Sequence, residues 1–156
     1  MKIAVDWRAA LWAALLAGTV FLLITIFVMP LVIDANVWVM IRLLASIVLG
    51  EAILAPPATS HPTALVVALL VHYTLSLAFA LLIAVILHRW GLLVGIVGGA
   101  LCGAGLYVIN IYSLSYFFPW FFALHGLPWL IAHILFGSVS GAVYEILEID
   151  RDEVGG

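Results

Sequence analysis

Very little of this chain is suited to water. Charged residues make up 8% of its 156 positions, and the five Lys and Arg residues form no cluster. Nucleic-acid binding therefore has no electrostatic basis. The only long polar stretch is the tail at 148–156, which is too short to fold alone and carries much of the net charge of −3. It reads as a solvated end. The single cysteine, Cys102, can form no internal disulfide and reads as a small packing residue. The chain contains no Cys-x-x-Cys, no His-Glu-x-x-His, no phosphate loop and no nucleophile elbow. On this basis we expect no enzyme chemistry and no metal site.

What the chain does have is oil. Hydrophobic residues account for 67% of it, gathered into four runs at 9–33, 63–87, 91–114 and 128–147. About 20 apolar residues suffice to cross a hydrocarbon core of about 30 Å as a helix. The expected fold is all-α: one integral membrane domain over residues 1–156, a four-helix bundle in contact with the lipid bilayer. Met1, Lys2 and Arg8 before the first run resemble a signal-peptide n-region. The run is far longer than a signal h-region of about 7–15 residues, so it reads as an uncleaved first span.

With both termini in the cytoplasm, Lys2, Arg8, Arg89 and Arg151 lie inside and only Arg42 outside, as the positive-inside rule asks. Trp7, Trp12 and Trp90 would flank the spans inside, and Trp38, Trp120 and Trp129 outside. The expected location is a bacterial inner membrane. The segment 36–54 is ambiguous. Its apolar part is short for a span, and a fifth span would bury Arg42 at a cost of about 3 kcal/mol. It reads as an amphipathic helix at the outer surface or dipping into the bundle.

Small residues recur at spacing four. Span three carries Gly91, Gly95, Gly99 and Gly103; span four carries Gly137 and Gly141 between Trp129, His133 and Glu145. Span two carries Ala64, Ala68, His72, Ser76, Ala80 and Ala84, and span one Ala10, Ala14 and Gly18. Lipid tails are as apolar as leucine, so helices in a bilayer associate through close backbone approach, which needs such residues. The ridges predict packing within the chain, with a second copy or another membrane protein as the alternative partner. Spans two and four each place small residues four and eight positions after a histidine. This pattern suggests one hairpin unit used twice.

The polar residues of the spans converge at one depth. His72 and His133 lie on the inward stripes of their helices, roughly 13 and 8 Å from the outer ends. Asn110, Tyr107 and Tyr73 reach a similar level, and Arg42 and Glu51 are expected to cap the group from segment 36–54. Polar groups within spans mark functional sites by default. The leading reading is a structural or accessory membrane component whose His/Asn/Tyr cluster fixes helix register. One rival is a b-type haem held between His72 and His133. Another is an oligomeric channel or proton-linked transporter using a path from His133 to Glu145, past Gly137 and Gly141.

Several short segments carry a family likeness: DWRAA at 6–10, WVMIR at 38–42, VHY at 71–73, NIY at 110–112, FFPWF at 117–121 and AHILFG at 132–137. Together they resemble small four-span proteins of bacterial inner membranes, including the YagU-like group. The resemblance implies a plasma-membrane location and a four-span bundle, and no settled biochemical role.

Overall fold

A computed structural model describes the backbone of residues 5–154 and the side chains of residues 5–148. The expected solvated tail, with Arg151, and the N-terminal Lys2 lie outside the described side chains. Among the described residues the chain is all helix and turn. Four helices are long and apolar enough to cross a membrane: α1 (Trp7–Val32), α3 (Pro62–Leu87), α4 (Leu92–Phe117) and α5 (Leu127–Val154, apolar as far as Glu148). The short helix α2 (Val37–Leu49) lies between α1 and α3.

Helix starts are fixed locally. The Asp6 carboxylate accepts from the amides of Arg8 and Ala9 at 2.9 and 3.1 Å and opens α1. Asn36 accepts from Trp38 N at 2.8 Å and opens α2. His61 Nδ1 accepts from Ala64 N at 3.1 Å, with Pro62 in the first helical position, and opens α3. Each bond satisfies a donor that a helix start leaves without a partner.

The suspected duplication is visible in the element lengths. Helix α1 consists of 17 α-helical residues, a five-residue π turn at Ile24–Val28 and four further α residues. Helix α4 repeats those lengths, with its π turn at Ile109–Ser113. A 3-10 segment precedes the histidine-bearing helix in each half, Glu51–Leu54 or Pro119–Leu124, but α2 stands before the first and has no counterpart before the second. The π turns themselves have no sequence signature.

The small-residue stripes form the interfaces. Every member of the α3 stripe from Ala64 to Ala84 is buried, as are Ala10, Ala14 and Gly18 of α1. Helices α4 and α5 make the closest contact in the bundle. A Cβ placed on Gly99 would collide with the carbonyl oxygen of Gly137, and one on Gly137 with that of Gly99; Gly95 and Gly141 stand in the same reciprocal relation. The ridge is therefore used inside the chain, which removes it as a docking face for a partner. Gly91 is not part of it: with φ of 85° it is the turn residue before α4.

Three expectations change. The helix expected over 36–54 stops at Leu49, because Gly50 at φ 79° breaks it and the 3-10 turn follows. Its polar stripe also points the other way from a surface-lying helix. Arg42 and Ser46 are buried, while Val48 is 65% exposed. Trp129 does not join an interfacial belt; it is 6% exposed and packs inside the bundle, whereas Trp7, Trp12 and Trp90 stand outward at the opposite end.

The α4–α5 contact yields a contrast in stability. Gly99→Leu forces helix backbones apart and is expected to remove several kcal/mol, the range of severe overpacking and beyond. Gly105→Ala meets nothing within 4 Å and should leave stability unchanged or raise it by up to about 1 kcal/mol. Thermal unfolding in mild detergent followed by near-UV circular dichroism measures both.

Candidate functional site

The two histidines lie at matched depth on either side of Phe21. The Phe21 ring is 6.1 Å from the His72 ring, nearly parallel to it, and 4.9 Å from the His133 ring, edge-on. Each imidazole is engaged with a neighbouring element. His72 Nε2 donates to the Gly18 carbonyl at 2.8 Å, tying α3 to α1, with Ser76 Oγ 3.5 Å away. His133 Nδ1 lies 2.8 Å from the Trp129 carbonyl, an acceptor only, so that nitrogen carries the proton. In the neutral ring Nε2 is then the acceptor, and Asn110 Nδ2 donates to it at 3.2 Å, tying α5 to α4. The same logic fixes the Asn110 amide: its nitrogen faces His133 and its oxygen, Oδ1, is left without a partner.

The remaining predicted members divide. The Tyr107 ring packs edge-on against His133 at 5.7 Å, and its hydroxyl accepts from Gly126 N at 2.8 Å. The Tyr73 ring lies edge-on to His72 at 5.2 Å, while its hydroxyl pairs with Thr19 Oγ1 at 3.0 Å. Arg42 and Glu51 do not cap the group. The Arg42 guanidinium donates to the carbonyls of Ile53, Ala55 and Thr59 at 3.4, 3.1 and 2.9 Å, and so pins the loop after α2. Glu51 is exposed. A buried cation takes the nearest free carbonyls, and the broken helix at Gly50 supplies them.

Beside the histidines lies a cavity of about 110 Å³. It opens where α3 and α4 touch far less than the other neighbouring helices do, and α2 lies across it. Its walls are mainly apolar, with Phe21, Leu75, Phe79, Leu106, Trp129 and Phe136 among them. His72, Ser76, His133, Asn110 and Thr25 also line it. Two of these residues carry a buried oxygen without a hydrogen-bond partner, Asn110 Oδ1 and Thr25 Oγ1. Thr25 and Asn110 are each the second residue of a π turn. Thr25, Phe21 and Trp129 were not among the residues expected at this site. A threonine in an apolar run carries no pattern of its own, and the turn that positions it leaves none.

The opposite end holds a second polar group. Glu145 accepts from Gly91 N and Trp90 N at 2.9 and 3.3 Å, capping the start of α4. Glu148 accepts from Arg89 N at 3.1 Å and from the Tyr144 hydroxyl at 3.2 Å, and lies 2.5 Å from His88 Nδ1. Both carboxylates are buried, at 1% and 5% exposure. Of the two carboxylates only Glu145 was singled out from the sequence. Glu148 falls three positions further along the same helix, among the residues assigned to a solvated tail, so its burial was missed.

Two expected uses of these residues meet obstacles in this arrangement. A haem between His72 and His133 would need both Nε2 atoms free and facing one iron. Both are engaged, and the Phe21 ring packs against each imidazole. The imidazoles as placed do not fit that group. A path from His133 to Glu145 would need room beside Gly137 and Gly141, and the backbone of α4 at Gly99 and Gly95 fills it.

The capping role of Glu145 sets an expectation. Glu145→Ala removes the acceptor of the half-buried Gly91 amide and leaves the Trp90 amide only its weaker bond to the Leu87 carbonyl, a loss of about 1–3 kcal/mol. Hydrogen exchange at Gly91 should accelerate about ten- to a hundredfold and at Trp90 by less, and Glu145→Gln, which keeps one carbonyl oxygen, should fall between. Comparison of the chain with family models, curated proteins and solved structures gave no match.

Proposed function

We propose that this chain is a non-enzymatic accessory component of a bacterial inner membrane, with its termini and the α3–α4 turn on the cytoplasmic side. Its working part is the cavity end, and the rest of the bundle is the frame that holds it. The observation that carries this reading is the one-sided distribution of space. The cavity occupies the α2 end, whereas toward the turn α4 lies directly on α5 through Gly95, Gly99, Gly137 and Gly141. Conduction needs a route through both halves. A binding or docking role needs only one accessible pocket.

The charge distribution along the sequence supports the orientation, and the likeness to small four-span inner-membrane proteins supports the location. The histidine bonds to Gly18 and Asn110 support a register-fixing role for the polar cluster. Interhelical hydrogen bonds in membranes contribute on the order of 0.6–2 kcal/mol each, enough to select one register and too little to hold a bundle without packing.

Flux measurements separate this reading from the transport alternative. Proteoliposomes loaded with a pH-sensitive dye should equilibrate protons no faster than protein-free vesicles. A flux abolished by His133→Ala or Glu145→Gln would overturn the accessory role in favour of transport. The same purified protein should show no Soret absorption.

A further inference from the structure

We propose that the cavity at the α2 end binds a compact apolar molecule carrying one hydroxyl group, which donates its proton to Asn110 Oδ1. The inference rests on reading that end as the working part of the protein. Its chemistry is set by what each alternative occupant leaves undone.

The cavity measures about 110 Å³. One water needs about 10–15 Å³ on the same kind of measure, and two to four polar partners besides. A single water would leave most of the space empty, and walls of Phe, Leu and Trp offer further waters few partners. A closed void of about 150 Å³ with such walls admits a benzene-sized molecule; this one is smaller but open on one side, so it suits a small ring or the head of a branched chain that extends into the opening. A lipid acyl chain would satisfy the walls and leave Asn110 Oδ1 bare. Leaving a buried acceptor unpaired is unfavourable, and a ligand donor removes that penalty.

The acceptor cannot turn away to solve the problem locally. Rotating the amide would point Oδ1 at His133 Nε2, which is itself an acceptor because Nδ1 holds its proton against the Trp129 carbonyl. Asn110 therefore presents a fixed acceptor. Thr25, which also lines the cavity, adds a second unpartnered oxygen, and its hydroxyl can donate to the oxygen of a bound alcohol or phenol. Both groups sit on π turns, distortions that frequently accompany functional sites.

The test uses the full chain in lipid nanodiscs, with 4-fluorophenol and the near-isosteric 4-fluorotoluene as probes, followed by fluorine NMR against empty nanodiscs to subtract bilayer partition. Saturable binding of the phenol is expected, about tenfold or more tighter than that of the toluene, from the relief of one buried acceptor. Asn110→Leu should bring the two affinities together, and Thr25→Val should narrow the gap by less. Should Asn110→Leu fail to fold, Leu75→Trp, which fills the cavity from α3, should abolish binding of both probes. Gly105→Ala should change neither.

Competition with farnesol identifies the source of the hydroxyl: displacement of the phenol assigns the site to a prenyl alcohol of the bilayer, and no displacement to a small free phenol or alcohol. Equal binding of the two probes, or no saturable binding in the wild type, would overturn the proposal. The vesicle flux result is unaffected by either outcome, so the accessory reading stands or falls separately.

Discussion

Two helices in a bilayer expel no water when they meet. They gain only the dispersion contacts and polar bonds that their surfaces allow, and these fall off steeply with distance. The rest of this structure depends on how closely α4 and α5 approach. Four glycines, Gly95 and Gly99 facing Gly141 and Gly137, bring carbonyl oxygens to where a Cβ would otherwise sit. That approach fixes the depth of His133 relative to Asn110 and so sets their hydrogen bond. It also brings Glu145 over the start of α4, where Gly95 leaves room for its side chain; a Cβ there would lie 2.7 Å from Glu145 Cγ. The cap on α4, the tie at Asn110 and the closure of the turn end all arise from one contact.

The two halves of the chain use the same plan with different side chains, and the difference makes the cavity. Seven residues beyond His72 stands Phe79; seven beyond His133 stands Ser140. Ser140 is fully buried, and α5 lies close against the alanine face of α1. Phe79 faces the gap between α3 and α4 and lines the cavity. An exact repeat would bring α3 onto α4 as closely as α5 onto α1. Phe79 stands where the other half has a hydroxymethyl group, and α2 and Trp129 enclose the space beside it. Asymmetry between the halves, together with α2, which has no counterpart after α4, supplies the pocket.

Much of this was legible in the residues. Run lengths locate four membrane-spanning helices to within a few positions, because bilayer thickness leaves little freedom in helix length. Spacing-four stripes identify the buried face of each helix, since a ridge of small residues has no other stable place in a bundle. His72, His133, Asn110 and Tyr107 come together as their depth and facing implied. What failed was whatever depended on local irregularity. Arg42 was expected to reach the histidines, but the break at Gly50 offered it carbonyls closer by. Glu145 was expected to extend a polar path, but the amides of the turn were nearer. In both cases a buried charge bonds to backbone, and sequence alone does not say which backbone groups are free.

The irregular elements also explain why the site lies where it does. A π turn adds a residue to a helical turn and rotates the part of the helix beyond it relative to the part before it. In α1 and α4 it falls at the same point, after 17 regular residues. Below it the helices keep the spacing-four register that lets Ala and Gly stripes meet. Above it they need not, and side chains there meet different neighbours. The small-residue stripes therefore end where the π turns begin, on both helices at once, and larger side chains such as Met29, Ile111 and Phe121 form the core beyond. Thr25 and Asn110 occupy that boundary, each the second residue of its π turn. A polar atom at such a boundary is costly to leave unpaired and is prevented by the frame beneath it from relaxing, which is the condition under which an arriving donor gains the most.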